Sequence, residues 1–285
     1  MKVFRIAIRV FIFLLLFVFS FAAVYPLIFL LGGSLKSTAE LGNSLASLWS
    51  ADGTIQWTWL PFEPTLRHYV ELLLDEPGYY VMFWNSVKIA GGVIGGQLLL
   101  SLPAAWGFAR WHFPGKKMLL SLYIVLMLFP FQILMLSEYL VLNRMGMIDT
   151  LWALILPGVC STFPVFIMYR FFSKLSKDVI EASTMDGCNV FQQYRYIKLP
   201  LVKNIFSIVI VMLVNGCLKT FDVFYILDNK SRSTEMVATY MYKTAFNSAD
   251  FGYGSTLSVF LVIECLVAVG IIQKCLGSAK GDGSG

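Results

Sequence analysis

The sequence predicts an all-α membrane protein with six transmembrane helices. Of its 285 residues, 58% are hydrophobic and only 14% are charged, and the mean hydropathy is +0.72. Soluble domains of this size carry about 25% charged residues. A helical span needs roughly 20 mostly apolar residues, and six runs of about that length occur, at residues 10–33, 81–108, 118–136, 151–172, 205–227 and 256–276.

The first span leads into a segment rich in Trp and acidic residues, at 36–80. A basic start followed by an apolar stretch is also typical of a signal peptide. This stretch is too long for one and lacks a clear small-x-small cleavage site, so we expect it to stay as a transmembrane helix. The chain is therefore divided into this helix with the acidic segment (1–80), a five-span core (81–276) and a flexible tail (277–285).

The second and third spans contain residues that shape helices. Pro103 and Pro130 are each predicted to kink the span that contains them. The stretch GGVIGG in the second span forms two overlapping small-residue pairs, Gly91/Gly95 and Gly92/Gly96. Such pairs let helix backbones approach closely. They serve either packing inside one bundle or a contact between subunits, and both readings remain open.

The last two spans carry polar residues. In the fifth span, the apolar run reaches Leu218 before the first charged residue. Asn215, Lys219 and Asp222 follow one another at spacings of four and three, which place them on one face of a helix. Either these residues line an aqueous path, or they form a cluster near the outer surface in which their polar groups bind one another. Glu264 lies midway along the last span, where an acid is costly unless protonated or paired. A packing role and a transport role are both open for it.

The distribution of Lys and Arg predicts which side of the membrane each segment occupies. Most of the 22 basic residues lie at the amino end, in residues 110–117, in residues 170–203 and in the tail. We therefore expect both ends to be cytoplasmic and residues 36–80 to be outside. The net charge of +5 follows from this topology and requires no nucleic-acid partner.

The sequence carries no motif for catalysis or nucleotide binding. A phosphate-binding loop, G-x-x-x-x-G-K-[ST], would need a glycine at Arg110 to precede Gly115 and Lys116. The two histidines, His68 and His112, are predicted on opposite sides of the membrane. The five cysteines have no metal-type spacing and predict no disulfide framework. We expect neither an enzyme nor a metal site, and a secondary transporter is the competing class.

A polar island, EASTMDGCNVFQQYRYIKLP, occupies residues 181–200 between the fourth and fifth spans. Asp178 and Glu181 have the spacing of a helix start. Gly187 suits a helix stop, because glycine adopts the left-handed conformation at little cost. These signals predict a short helix over residues 179–186.

A second short helix is predicted directly afterwards. Asn189 and Gln192 are spaced to cap it, and Pro200 is expected to end it before the next span. Its apolar residues fall on one face, at Val190, Phe191, Tyr194 and Ile197. The two helices form either a docking element for a groove on a partner or an ordinary amphipathic loop.

The island resembles the EAA signature of permease subunits of ABC importers through Glu181, Ala182, Ser183, Asp186, Gly187, Leu199 and Pro200. Further stretches are similar to the sugar-importer branch of the maltose-permease type: NSVKIA (85–90), GFARWHFPGKK (107–117), MGMIDT (145–150) and WALILPG (152–158). The chain departs from the family at Ser183, the third EAA position, and at Lys177 and Asn204, where proline is frequent. These departures concern the rigidity of the loop more than its identity.

The resemblance implies the fold of type-I ABC importer permeases, with a cytoplasmic coupling helix that docks into an ATP-hydrolysing subunit. It implies a bacterial plasma-membrane protein that translocates a sugar or oligosaccharide and holds no cofactor itself. The implied partners are a second, different permease, two ATPase subunits that bind ATP, an extracellular substrate-binding protein and membrane lipid. The alternatives are a secondary transporter and an ABC permease for another small solute. Candidate residues of the translocation path are Asn215, Lys219, Asp222 and Tyr225.

Overall fold

The computed structural model describes residues 2–45, 58, 61–174, 185–193, 195–196, 199–227 and 234–276. These residues form helices and turns, and no strand is found among them. An all-helical architecture follows from the apolar runs, because a helix satisfies its backbone hydrogen bonds internally and needs no water to do so. The described part of the chain therefore confirms the all-α prediction.

The helices are named here in chain order. The first group is α1 (Lys2–Ser34), α2 (Thr38–Leu45), α3 (Arg67–Val70), α4 (Gly78–Arg110), α5 (Lys116–Leu128), α6 (Phe131–Arg144) and α7 (Leu151–Val159). The second group is α8 (Thr162–Lys174), α9 (Val190–Gln193), α10 (Leu199–Lys219), α11 (Asp222–Leu227), α12 (Val237–Tyr242) and α13 (Phe251–Leu276). Two π-helical turns, Glu71–Asp75 and Lys243–Asn247, extend α3 and α12.

Four helical stretches of the described residues are long and apolar enough to cross a membrane: Ile8–Ser34, Gly78–Arg110, Leu151–Phe172 and Phe251–Leu276. A fifth span forms if α5 and α6 are counted together. The predicted fifth run is represented by the shorter apolar helix Phe206–Lys219. The count of six therefore stays a prediction, while several membrane-spanning helices are present.

Three predicted spans are interrupted: α7 ends at Val159 and α8 begins at Thr162, and in the other two the sequence contains a helix breaker or a charge at the break. α5 and α6 meet at an angle of 101°, at a break that contains the extended residues Phe129 and Pro130. α10 ends at Lys219, and α11 begins at Asp222. Pro103 behaves differently, because α4 runs without a break past it.

The chain divides into two compact units, and the first contains Met1–Tyr79 and Tyr240–Val262. In this unit the Ser34 and Tyr69 hydroxyls are 2.7 Å apart. Lys36 is buried, and its Nζ donates to the carbonyl and hydroxyl oxygens of Thr58 at 2.6 and 2.7 Å. The end of α1 is thereby joined to the segment that follows it.

The second unit contains Tyr80–Thr239 and Ile263–Gly285, and α4 contributes to three apolar clusters among its described residues. One cluster brings α4 against α6 and α7, with Ile89, Val93, Leu142, Ala153, Leu154 and Met236 at its centre. Another joins α4 to α8 and α10 through Ala105, Phe108, Val165, Met168, Phe172 and Val209. The third joins α4, α10 and α13 through Ala90, Val214, Leu218 and Cys265. α4 is therefore the common packing partner within this unit.

Candidate coupling turn and polar residues of the spans

The described part of the polar island begins with an exposed turn. Met185 is 88% exposed, and Asp186 and Gly187 are also exposed. Gly187 has φ +80°, the left-handed conformation that the sequence predicted for it. A side chain at this position would find open space but would strain the backbone.

Asn189 and Gln192 form a reciprocal helix cap at the start of α9. The backbone N–H of Gln192 donates to Asn189 Oδ1 at 2.8 Å, and the backbone N–H of Asn189 donates to Gln192 Oε1 at 2.9 Å. Both bonds join residues three positions apart, so this turn is held by its own side chains. The capping role predicted for this pair is confirmed.

The remaining coupling residues lie in two places. Glu181, Ala182 and Ser183 belong to residues 175–184, which are outside the described residues, as is most of the predicted helix over 179–186. Leu199 and Pro200 open α10. The expectation that Pro200 ends the preceding helix was wrong: Pro200 is the second residue of α10, and Arg195 and Tyr196, between α9 and α10, are π-helical.

The polar residues of the fifth run do not share one continuous helix. Asn215 and Lys219 lie in α10, where Asn215 Nδ2 donates to the Val211 carbonyl at 3.0 Å. The helix ends at Lys219, whose side chain is exposed, and the half-buried Asp222 starts α11. The prediction that all three line one helical face was therefore wrong, because the break falls between the second and the third.

The other polar candidates are partly accessible. Tyr225 lies in α11 and is 39% exposed. Glu264 is half-buried in α13. Among the described residues, no three His, Cys, Asp or Glu side chains come together in a way that could hold a metal ion.

Sequence reasoning missed a buried segment, Thr234–Thr239, that is fastened to α4. Asn85 Nδ2 donates to the Glu235 carbonyl at 3.2 Å, and the Val237 N–H donates to Ser86 Oγ at 3.4 Å. All six residues of the segment are buried, with exposures from 0 to 6%. The sequence signal for this contact was the polar pair Asn85 and Ser86 near the start of an apolar span. Buried polar groups require partners, so this pair indicated a polar contact of the span with another segment.

A second polar contact joins α4 to α7. The Gln97 side chain is 4% exposed, and its Nε2 donates to the Gly158 carbonyl at 2.6 Å. Pro157 lies in the last turn of α7. The Gly158 carbonyl also accepts from the Ser161 N–H at 3.3 Å, and its second lone pair is available for a side chain of another helix.

Comparison with known proteins gives consistent results. The family model described as "Binding-protein-dependent transport system inner membrane component" matches residues 97–279, more than half of the chain. The galactooligosaccharides transport system permease protein GanQ of Bacillus subtilis is 30% identical over 213 residues, which are 73% of this chain and 71% of that protein. The arabinooligosaccharides transport system permease protein AraQ of Halalkalibacterium halodurans is 27% identical over 64% of this chain, and the match spans 62% of AraQ.

The fold is also similar to that of a solved structure. A chain of a bacterial ABC transporter involved in the import of the acidic polysaccharide alginate superposes with a TM-score of 0.72, at 19% identity, over 96% of both chains. The similarity confirms the predicted importer-permease fold. On the family match, the chain belongs to the binding-protein-dependent transport system inner membrane components.

Proposed function

We propose that this chain is a membrane-spanning permease subunit of an ATP-driven ABC importer that translocates a sugar or oligosaccharide. An extracellular binding protein delivers the solute, a second and different permease completes the pathway, and two ATPase subunits supply the energy. The chain itself binds no nucleotide. Its relatives GanQ and AraQ, named for oligosaccharide transport, support a sugar as the solute.

The observation that carries this proposal is the exposed turn that starts at Met185. A docking element must keep its shape while it presents side chains to a partner. The turn meets this condition, because Gly187 has φ +80° and the Asn189–Gln192 cap is closed by local bonds. It lies within the matched family region and carries the Asp-Gly part of the EAA-like sequence.

The geometry supports a mechanism in which force enters the spans through this turn. Glu181, Ala182 and Ser183 contact the ATPase subunit, and Asp186 and Gly187 fix the direction of the helix predicted over residues 179–186. α10 begins at Leu199, six residues after α9 ends, so a displacement of the docked helix is transmitted into a span. Closure of the ATPase pair then moves the bundle between outward-open and inward-open states by rigid-body motion.

The path for the solute is proposed to pass the polar residues of α10 and α11. Sugars are neutral and rich in hydroxyl groups, so amides and aromatic rings suit their recognition. Asn215 and Tyr225 provide these groups, and Lys219 and Asp222 flank the break between the two helices. A break of this kind brings polar backbone and side chains to membrane depth, where they are tolerated next to a water-filled cavity.

The coupling role is tested with Gly187→Val and Glu181→Lys. Each variant is expected to reach the membrane and to lose the stimulation of ATP hydrolysis by loaded binding protein. Gly146→Val is the matched control, because Gly146 also has a positive φ, +67°, and open space around its Cα, but lies in the turn after α6. ATPase rates of the purified complex are measured with and without loaded binding protein. Normal stimulation in both coupling variants would refute the docking role.

The orientation is tested by labelling. A single cysteine near Thr54, in a chain without its native cysteines, is expected to react with an impermeant thiol reagent in intact cells, since residues 36–80 are proposed to be outside. A cysteine near Gly187 is expected to react only after lysis. The reverse result would place both termini outside.

A further inference from the structure

The turn between α4 and α5 concentrates positive charge at the end of a membrane-spanning helix. This basic turn, residues 110–117, contains the three cations Arg110, Lys116 and Lys117 and also His112, four side chains in all. No Asp or Glu occurs between Glu76 and Glu138. Within the described part of the chain, none of the four forms an ion pair. The charge is therefore not neutralised by described neighbours in sequence or in space.

Arg110 is the half-buried cation of the basic turn. Its guanidinium carbon lies 5.1 Å from the centroid of the Trp106 ring, a cation–π contact that orients the group. Its Nε and Nη2 are buried, and no acceptor for them is found among the described residues. Because these two nitrogens are shielded from solvent, they do not face a molecule bound at the surface. Arg110 contributes to the basic turn through its positive charge, which is permanent at physiological pH.

The basic turn is anchored by packing and by a hydrogen bond. Phe113 packs on Phe108 with ring centroids 5.8 Å apart, and Phe108 belongs to the cluster of α4, α8 and α10. Lys116 Nζ donates to the Trp111 carbonyl at 3.2 Å, and Gly115 closes the turn at φ +82°. The cations are thus held near one another.

Exposed apolar side chains continue directly from these cations. Trp111 is 67% exposed, and the first turns of α5 expose Met118 at 78%, Leu119 at 41% and Leu122 at 47%. Charge and apolar surface therefore adjoin within about two helical turns, at the end of a span. Basic and aromatic residues at this depth face lipid headgroups, and the apolar residues next to them face acyl chains.

We propose that the basic turn is a binding site for one phospholipid with an anionic headgroup. Lys116 and Lys117 bind the phosphate and the remaining headgroup charge, Arg110 adds its positive charge from the end of α4, and the acyl chains lie along Met118 and Leu122. Lipid is favoured over a protein partner because a single molecule then satisfies both the cations and the apolar surface that adjoins them. The site is independent of which solute is transported.

The test uses the full chain, purified in detergent and titrated with phosphatidylglycerol or phosphatidylcholine under native mass spectrometry. Preferential retention of phosphatidylglycerol is expected. Removal of charge by Lys116→Gln with Lys117→Gln is expected to weaken that binding about fivefold per charge, the contribution of one basic residue near an anionic surface. Arg110→Gln, which removes a charge, is expected to weaken it further than Arg110→Lys, which keeps the charge.

The matched control is Arg144→Gln, which removes an exposed cation from the last turn of α6. It is expected to leave phosphatidylglycerol binding unchanged, and so is an excess of inorganic phosphate, which lacks acyl chains. Equal binding of both lipids, an equal loss in the control or displacement by phosphate would overturn the proposal. A Lys116/Lys117 variant that keeps its lipid but no longer co-purifies with ATPase subunits would also overturn it, because the turn would then be a protein contact.

Discussion

The two faces of α4 carry glycine pairs of the same spacing, yet only one pair is packed against other described residues. A Cβ at Gly92 would lie 2.8 Å from Ile155 Cδ1, and one at Gly96 would collide with the side chain of Val159. A glycine of α7 is approached by α4 in the same way, since a Cβ at Gly158 would lie 2.9 Å from the side chain of Val93. The two helices are therefore in contact through small residues on both sides.

Gly91 and Gly95 stand in contrast, because a Cβ at either position meets nothing within 4 Å and both residues are exposed. The spacing of a small-residue pair thus indicates that a helix can be approached closely, but not which face is approached. The residue opposite decides the cost of adding a methyl group. Both packing inside the chain and an open face coexist on one helix.

The largest effect is expected for Gly96→Ala. Val159 is β-branched and stiff at χ1, so it cannot turn away from the new methyl group. The free energy of unfolding is expected to fall by about 1–3 kcal/mol, the usual cost of overpacking. An SDS titration in maltoside micelles, followed by the fluorescence of the 7 tryptophans, measures it.

A second substitution in the Gly96→Ala chain identifies the cause. Val159→Ala removes the opposing methyl groups, so the double variant is expected to be more stable than the sum of its two single variants predicts. Strictly additive losses would show that the contact between α4 and α7 is not the source of the effect.

Gly252→Ala extends the comparison to α13, where it is expected to lower the free energy of unfolding by about 1–3 kcal/mol. The new Cβ would lie 2.7 Å from Nε2 of His68, whose rigid ring is only 3% exposed. Gly270 on the same helix has nothing within 4 Å of its Cβ position and provides the matched control. The same titration compares the two alanine variants, and equal midpoints would contradict the packing of His68 against Gly252.

Gly92→Ala is expected to lower the free energy of unfolding by about 1 kcal/mol, less than Gly96→Ala. The nearest atom is Cδ1 of Ile155, the far end of a flexible side chain, which can rotate away from the added methyl group. Paired titrations measure the loss in free energy of unfolding for both variants, and the loss for Gly96→Ala divided by that for Gly92→Ala is expected to exceed one. A ratio below one would mean that the stiffness of the opposing residue is unimportant.

The smallest effect, of opposite sign, is expected for Gly95→Ala. Alanine loses less backbone entropy than glycine in a helix, so the isolated chain is expected to gain about 0.5–1 kcal/mol. The measurement is made on the chain alone, where no other subunit covers this face. A loss of stability there would show that Gly95 is packed within the chain after all.

The sequence predicts features whose partners are close along the chain. The left-handed Gly187 and the reciprocal bonds of Asn189 and Gln192 each depend on three or four consecutive residues, so their spacing was sufficient. The long apolar helices were also predictable, because lipid imposes one requirement on every residue of a span. The interruption after Lys219 was not predicted, although a charged residue stands at each of its two ends.

Features with distant partners could not be predicted in this way. The burial of Thr234–Thr239 depends on Asn85 and Ser86, which are 150 and 151 positions away from the residues they bind. The sequence likewise left open which pair of glycines in α4 is packed, because Val159 and Ile155 become neighbours only after folding. The place of Pro200 was wrong since proline is compatible with both the end and the first turn of a helix.

The length of α4 has a consequence for the membranes that can accommodate this chain. Its 33 residues measure about 50 Å, whereas the hydrocarbon core is about 30 Å thick. Trp84 and Trp111 are exposed and lie near its two ends. At the helical rise per residue they are roughly 40 Å apart, close to the thickness of a bilayer with its headgroups. A helix of this length can meet a thicker or thinner bilayer by changing its tilt, without exposing its ends to hydrocarbon. α4 therefore gives the chain tolerance to variation in lipid chain length.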